Sequence, residues 1–297
     1  MVTVAACQLA LADLDPDANL ARVADRLAAL PDETELAVFP EHTLTGFVGD
    51  DRIRDAALRR DGDHVTRVAA LAEQHELDLL VGFVERADRR SAERASDERT
   101  RSVRGIRERE RIETGVEEER PASPTEIPAR DGETQLYNTV AYLGADGSRA
   151  FYRKRHLWGG EEDVLSAGDE RVVVESPLGR AGLVTCYDLN FVAESAAFTE
   201  ERVDALLVAG AWPGSYAQNW KLLVRARALD GVRWVVGAGR TGRREIPGAR
   251  VTEYAGQSRV IRPDGAVHSA LNRGERNLVA DLDPDLLEEQ REFIPVF

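Results

Sequence analysis

Short runs of apolar residues alternate along this chain with longer segments in which apolar residues recur at helical spacing. Continuous short runs predict buried β-strands, and apolar residues three and four positions apart predict helices that cover them. This order predicts an α/β fold. The predicted strands are residues 2–7, 36–39, 79–83 and 183–186, and the predicted helices are residues 17–30, 63–75 and 218–229.

The last part of the chain has a different pattern, with two strand-like segments at residues 255–261 and 265–269. An Arg-Pro-Asp-Gly sequence at residues 262–265 connects them. Proline presets the backbone for a reversal, and glycine adopts turn conformations that other residues avoid. We therefore predict a β-hairpin here.

One segment, at about residues 86–134, consists mostly of arginine, acidic residues and serine, with no aromatic side chain. Such a composition cannot bury enough apolar surface to fold alone. Residues 82–85 and 136–140 on either side have strand-like patterns, so we predict two hairpin partners separated by a charged, disordered insertion. We favour a solvated insertion without a function over a cover for a site or a contact with another subunit.

The composition and net charge of the chain argue against some classes of binding partner. The 53 acidic and 39 basic residues give a formal net charge of −14, which repels nucleic acid and anionic lipid surfaces. The same acidic surface, poor in lysine, is typical of adaptation to high salt. The length allows one large or two ordinary domains, and a hydrophobic content of 43% is ample for a packed core. We expect a small-molecule partner, no nucleic acid and no membrane.

The cysteines and the first residues of the chain indicate the cellular compartment. The two cysteines lie far apart in sequence, and the apolar start has no basic flank, so neither a disulfide framework nor a signal peptide is indicated. No apolar stretch approaches the roughly 20 residues of a membrane-spanning helix. These features predict a cytoplasmic location.

Lysine is the first candidate for chemistry, because the chain has only two, Lys154 and Lys221, and otherwise uses arginine. Lys154 lies between Arg153 and Arg155. Lysine is a compact charge that can approach a single oxygen closely, whereas arginine is a permanently charged fork. A lysine retained among arginines points to a reacting centre, and we interpret Lys221 as a residue of a helix surface.

Cysteine is equally rare, with only Cys7 and Cys186. Cys186 ends a predicted strand and precedes a helical pattern from about residue 193. Backbone N–H groups in such a turn, and the positive end of the following helix, favour a thiolate and can stabilise an oxyanion. Cys186 therefore has the position of a nucleophile, whereas Cys7, inside the first strand, is interpreted as a small buried apolar residue.

A reactive cysteine requires a base, and the five histidines form no evident arrangement with Cys186. Glu41 follows the predicted strand at residues 36–39. A carboxylate is unfavourable there unless it faces a polar cavity or a charged partner. On its own, Glu41 also fits a structural ion pair.

Glu41, Lys154 and Cys186 each lie at or near the end of a predicted strand. The segments around them, together with four others along the chain, resemble the nitrilase or carbon–nitrogen hydrolase superfamily over nearly the whole length. The resemblance implies a single domain over residues 1–297 that folds as a four-layer α-β-β-α sandwich and forms a homodimer or a larger homo-oligomer. The matching segments are residues 4–8, 39–41, 137–139, 152–157, 185–189, 226–228 and 256–258.

The resemblance also implies roles for individual residues. Glu41 corresponds to a general base, Lys154 to a cation that stabilises the oxyanion, and Cys186 to the nucleophile. The family has a second glutamate, which corresponds to Glu161, with the neighbouring Glu162 as the alternative.

The implied reaction is hydrolysis of a small amide or N-carbamoyl amine to an acid and ammonia, through a thioester on Cys186, with no metal and no organic cofactor. The backbone N–H of Tyr187 joins Lys154 in holding the oxyanion, and Trp212 lines the acyl pocket or belongs to the core. Two other functions stay open. One is acyl transfer from the same thioester to an amine, and the other is a non-catalytic binding scaffold.

The chain departs from the family pattern after the nucleophile, at residues 190–193, 230–231 and 239. These positions shape the substrate pocket and the subunit contacts, so the resemblance leaves the acyl group undetermined. We interpret His156 and Asp188 as structural hydrogen-bonding residues at the edges of their motifs.

Overall fold

The structure, a computed structural model, describes residues 1–87 and 134–296. It contains two six-stranded sheets, each with parallel strands in the centre and antiparallel strands toward the edges. In spatial order, the first sheet consists of β14 (Arg276–Leu282), β1 (Val2–Gln8), β2 (Leu36–Val38), β3 (Asp78–Ala87), β4 (Gln135–Leu143) and β5 (Arg149–Arg153). The second consists of β13 (Val267–Ala270), β12 (Arg259–Ile261), β9 (Trp234–Gly239), β8 (Ala205–Gly210), β7 (Gly179–Thr185) and β6 (Val173–Ser176).

Six α-helices and a small ribbon complete the described fold. The ribbon pairs β10 (Arg243–Arg244) with β11 (Thr252–Glu253). Short 3₁₀ turns occur at Gly159–Glu161, Cys186–Asn190 and Gly214–Tyr216. The helices are α1 (Pro16–Ala28), α2 (Ile53–Ala56), α3 (Asp63–Gln74), α4 (Val192–Glu200), α5 (Ala217–Leu229) and α6 (Pro284–Phe293).

The layers follow from the alternation of side chains along the strands. In β1, Val4 and Ala6 belong to the core between the two sheets, whereas Ala5 and Cys7 belong to the core under α1 and α3. The second sheet likewise packs its outer face against α4 and α5, around the fully buried Trp220. The fold is therefore an α-β-β-α sandwich, which confirms the predicted fold class.

Helix α1 illustrates how the sequence sets an element. The side chain of Asp15 accepts a hydrogen bond from the backbone N–H of Ala18 at 3.0 Å, and Pro16 occupies the first turn, so the helix has a defined start. Apolar residues at helical spacing then pack on the first sheet. The buried apolar residues are Leu20, Val23 and Leu27.

The predicted C-terminal hairpin is present as β12 and β13, but its first strand is shorter than the apolar pattern suggested. Gly256 and Gln257 have positive φ angles of 63° and 62°, which are incompatible with an extended strand. The strand therefore begins only at Arg259.

Strands β3 and β4 pair antiparallel, from Leu79 with Leu143 to Ala87 with Gln135. The two segments that flank the charged insertion are thus hairpin partners, as predicted, although β3 continues two residues into the predicted insertion. The rest of that insertion, residues 88–133, lies outside the described residues. Among the described helices, none has the length and apolar character needed to cross a membrane.

Gly82 in β3 provides a test of the packing beneath the loop that follows β2. A Cβ atom added at Gly82 would lie 2.7 Å from the backbone nitrogen of His42 and 3.0 Å from the carbonyl oxygen of Pro40. We expect Gly82→Ala to lower the free energy of unfolding by about 1–3 kcal/mol, because backbone must move to admit the methyl group. Urea denaturation measures this. Gly160→Ala is the control, because a Cβ atom added there would lie 3.4 Å from the nearest atom. An equal loss of unfolding free energy in both variants would contradict the expectation.

Candidate active site

Three strand ends from the two sheets converge on one buried cluster. Glu41 lies three residues after β2, Lys154 directly after β5, and Cys186 directly after β7. All three side chains are buried. The predicted site residues are therefore together, although Glu41 lies 113 positions before Lys154 along the chain.

Lys154 is the centre of this cluster. Its Nζ atom donates hydrogen bonds to Glu41 Oε1 at 2.8 Å and to Glu161 Oε2 at 2.7 Å. Burial alone lowers the pKa of Lys154, but the negative charges of Glu161 and Glu41 outweigh it, so the pKa lies well above the ordinary value. Lys154 is thus a permanent cation.

Glu161 is held by several donors at once. The backbone N–H of Trp158 donates to Glu161 Oε2 at 2.9 Å, and the amide of Asn138 donates to Oε1 at 2.6 Å. Burial raises the pKa of Glu161, but the charge of Lys154 and the contacts with His42 prevail and lower it to about 2. Of the two glutamates considered from the sequence, Glu161 lies in the cluster, whereas Glu162 is exposed.

Cys186 begins a 3₁₀ turn between a strand and a helix, where the sequence predicts a turn, and has a φ angle of +46°. Asp188 stabilises this turn by accepting hydrogen bonds from the backbone N–H of Thr185 at 3.2 Å and from the hydroxyl of Tyr152 at 2.7 Å. His156 also donates to Asp188 through its backbone N–H at 3.0 Å, in keeping with a structural role for both residues.

Cys186 and Glu41, the base proposed from the sequence, line the same cavity. Burial raises the pKa of the Cys186 thiol well above the ordinary value, and the negative charge of Glu41 raises it further against the opposing effect of Lys154. The sulfur is therefore protonated at neutral pH. Cys7 lies apart from this cluster, and burial raises its pKa to about 12, which agrees with its interpretation as a core residue.

A cavity of about 760 Å³ opens onto the cluster. Glu41, Lys154 and Cys186 form part of its wall, together with Tyr187 and Trp212. The ring of Trp212 lines the cavity and also packs in the core, with its centre 6.3 Å from that of Trp220.

A family model described as carbon–nitrogen hydrolase matches residues 3–100 and 111–292 of the chain. The chain belongs to this family. It is therefore an enzyme that acts on carbon–nitrogen bonds other than peptide bonds.

Individual proteins similar to this carbon–nitrogen hydrolase cover different shares of the chain. An (R)-stereoselective amidase from a Pseudomonas species is 26% identical over 284 residues, which is 96% of this chain and 86% of the relative. An omega-amidase of Homo sapiens is 36% identical over 186 residues, 58% of this chain and 64% of the relative. The solved structure of Saccharomyces cerevisiae Nit3, a member of branch 10 of the nitrilase superfamily, has a TM-score of 0.77 at 22% identity and covers 99% of this chain and 94% of its own; it shows the same fold.

Two buried residues of the hydrolase site were missed from the sequence. The amide of Asn138 lies between both glutamates, and the ring of His42 lies with Nε2 3.4 Å from Glu161 Oε1, stacked on Phe47. The sequence offered the histidines only as partners of Cys186. Asn138 lies in the matching family segment at residues 137–139, to which no role was given.

The same cluster contains side chains that could bind a metal ion. Among residues 1–87 and 134–296, Glu41, His42 and Glu161 form the one group of three potential ligands. The ammonium of Lys154 already lies 2.8 Å and 2.7 Å from the two carboxylates. Its charge takes the place between them that a metal cation would occupy.

Glu161→Gln tests the buried ion pair. Because the pKa of Glu161 is lowered from 4.5 to about 2, its ionised form contributes stability above about pH 4.5, and this contribution is lost as the pH falls toward 2. We expect the substitution to lower the free energy of unfolding by about 3–5 kcal/mol at neutral pH, since Lys154 loses a buried partner.

Urea denaturation at neutral pH, and again between about pH 4.5 and 2, measures the effect. The difference in the free energy of unfolding between the variant and the wild type should become smaller in acid. The matched control is Glu162→Gln, for which a change within about 0.5 kcal/mol is expected. Equal effects of the two substitutions, or a difference independent of pH, would contradict the role given to Glu161.

Proposed function

We propose that this hydrolase cleaves an amide to a carboxylic acid and ammonia through a thioester on Cys186. The observation that carries the proposal is that the thiol of Cys186, the carboxylate of Glu41 and the ammonium of Lys154 are buried together in the wall of one cavity. The similarity to an (R)-stereoselective amidase and to omega-amidases supports amides as the substrate class.

The reaction begins with transfer of the thiol proton to Glu41 as the sulfur of Cys186 attacks the carbonyl carbon. Delaying the proton transfer until attack suits a thiol whose pKa is raised. The C=O bond opens to an oxyanion. Lys154 uses two of its three N–H donors on the glutamates, so the third is left for this oxyanion. The backbone N–H of Tyr187 is the proposed second donor, and each such donor stabilises the transition state by about 3–4 kcal/mol.

In the next step the proton on Glu41 passes to the substrate nitrogen, the C–N bond breaks and ammonia leaves. Glu41 then removes a proton from water, the resulting hydroxide attacks the thioester, and the proton returns to the departing sulfur of Cys186. Glu161, whose pKa is about 2, keeps its charge throughout. Its role in this scheme is to hold Lys154 and to position water or the substrate nitrogen.

The cavity extends this proposal to the acyl group. A volume of about 760 Å³ lies within the range of sites for ligands of drug size, well beyond the needs of the smallest amides. Tyr187 and Trp212 on its wall are the proposed contacts of the acyl chain. A substrate panel therefore includes short aliphatic amides, omega-amides with a carboxylate, N-carbamoyl amines and amides with bulky acyl groups.

Cys186→Ala is the direct test. We expect ammonia release from the reactive members of the panel to fall by at least about 10³-fold, because no thioester can form. Cys7→Ala, which removes the buried sulfur outside the site, is the matched control and should retain the activity.

The same assay addresses the alternatives. Ammonia release that persists in Cys186→Ala, or that is absent for every compound with folded wild-type protein, would refute amide hydrolysis through this cysteine. Added hydroxylamine separates hydrolysis from acyl transfer, because a transferase should give mainly hydroxamate, whereas a hydrolase gives mainly acid.

We also propose a homodimer that forms through the helical layer on the second sheet. Val192 on α4 and Leu222 on α5 expose 65% and 67% of their surface, and this dimer would bury both side chains. We expect Leu222→Glu to shift the protein from dimer to monomer in sedimentation analysis. Val267→Glu on β13, at a site 44% exposed, is the control and should leave the dimer intact. A wild-type protein that sediments as a monomer would contradict the proposal.

A further inference from the structure

We propose that Asn138 is a positioning residue, whose side-chain amide holds the carboxylate of Glu41 in its place beside Lys154 and Cys186. This inference rests on the proposed function, in which Glu41 is the base. It concerns a residue of β4 that contacts the cluster from within the first sheet.

Asn138 joins three members of the site. Its Nδ2 atom donates to Glu41 Oε1 at 2.8 Å and to Glu161 Oε1 at 2.6 Å, and its backbone carbonyl accepts from the backbone N–H of Lys154 at 2.8 Å. The side chain is fully buried. Any displacement of Asn138 would therefore move both carboxylates and the strand end that carries the lysine.

The orientation of the amide is set by the two glutamates. Each N–H of Nδ2 faces a carboxylate oxygen, and the reverse orientation would place the carbonyl oxygen against two negatively charged oxygens. This orientation leaves Oδ1, on the other side of the Asn138 amide, buried without a hydrogen-bond partner among the described residues. An unpaired buried acceptor lowers stability, so the residue is better explained by the site than by folding.

Glu41 is surrounded by charged and titratable groups, and Asn138 differs from all of them because its side chain does not titrate. Removing its amide therefore changes the hydrogen bonding of Glu41 without changing the charge of the site. The titratable and charged groups that act on Glu41 are Lys154, Glu161, His42, Cys186, Arg240 and Tyr254.

Asn138→Leu removes the donors and keeps the branched shape of the side chain. A carboxylate that loses a hydrogen bond is protonated more easily, so the acidic limb of the pH–activity profile should move to higher pH by about 1–2 units. We expect kcat to fall by about 10- to 100-fold, with a smaller change in KM, because the base is misplaced while the cavity is retained.

The closing experiment uses alkylation of Cys186 by iodoacetamide, followed by mass spectrometry across the pH range in which the protein stays folded, with Cys186→Ala as the blank. Thr139→Val is the matched control, because it removes a buried hydrogen bond of 2.7 Å to Glu85 from the same strand. The proposal expects the acidic limb of alkylation to move to higher pH in Asn138→Leu and to stay in place in Thr139→Val. Unshifted limbs in both variants, or equal shifts in both, would overturn it.

A second variant covers the case in which Asn138→Leu does not fold. Asn138→Asp keeps the shape and replaces the donors by a third carboxyl group, so a larger shift is expected, and a wild-type profile would overturn the proposal. Alkylation needs no substrate, which separates the two proposals. A shifted profile with no ammonia release from any amide would refute only the proposed function, whereas normal release with an unshifted profile would refute only the role of Asn138.

Discussion

The buried ammonium of Lys154, held between the carboxylates of Glu41 and Glu161, is the interaction on which the rest of the site depends. Removing an ammonium and two carboxylates from water costs several kcal/mol per ion, and only close, well-directed contacts offset this. The contacts of 2.8 Å and 2.7 Å meet that requirement. They also leave the cluster with one more negative than positive charge, which is the state in which a carboxylate can accept a proton from a neighbouring thiol.

The two sheets supply different groups to the site. The first sheet supplies the acid–base and charged groups Glu41, Asn138 and Lys154, while the second supplies Cys186 at the end of β7. The distance between sulfur and carboxylate is therefore set by the apolar core between the sheets, which includes Leu80 and Leu183. Close packing of such a core leaves little freedom for either sheet to shift. Residues far from the cavity thus contribute to its geometry.

Much of this arrangement could be predicted from the sequence, for identifiable reasons. Buried strands give continuous apolar runs, so the strand ends that carry Glu41 and Cys186 were visible, and the resemblance to a family connected them with Lys154. The distinction between Glu161 and Glu162 was not visible, because both are acidic and adjacent, and only burial separates them. Asn138 was missed because its role comes from proximity across 97 positions to Glu41, which no local pattern records.

The protonated state of the Cys186 sulfur has a consequence for the survival of the enzyme under oxidising conditions. Peroxide attacks thiolates far faster than thiols, so a sulfur that loses its proton only during attack on a substrate is a poor target between turnovers. The other sulfur atoms add little risk, because Cys7 is fully buried and Met1 is the sole methionine. Met1 is 75% exposed at the start of the chain. Oxidative damage to sulfur should therefore begin at Met1, which takes no part in the site, before it reaches the nucleophile.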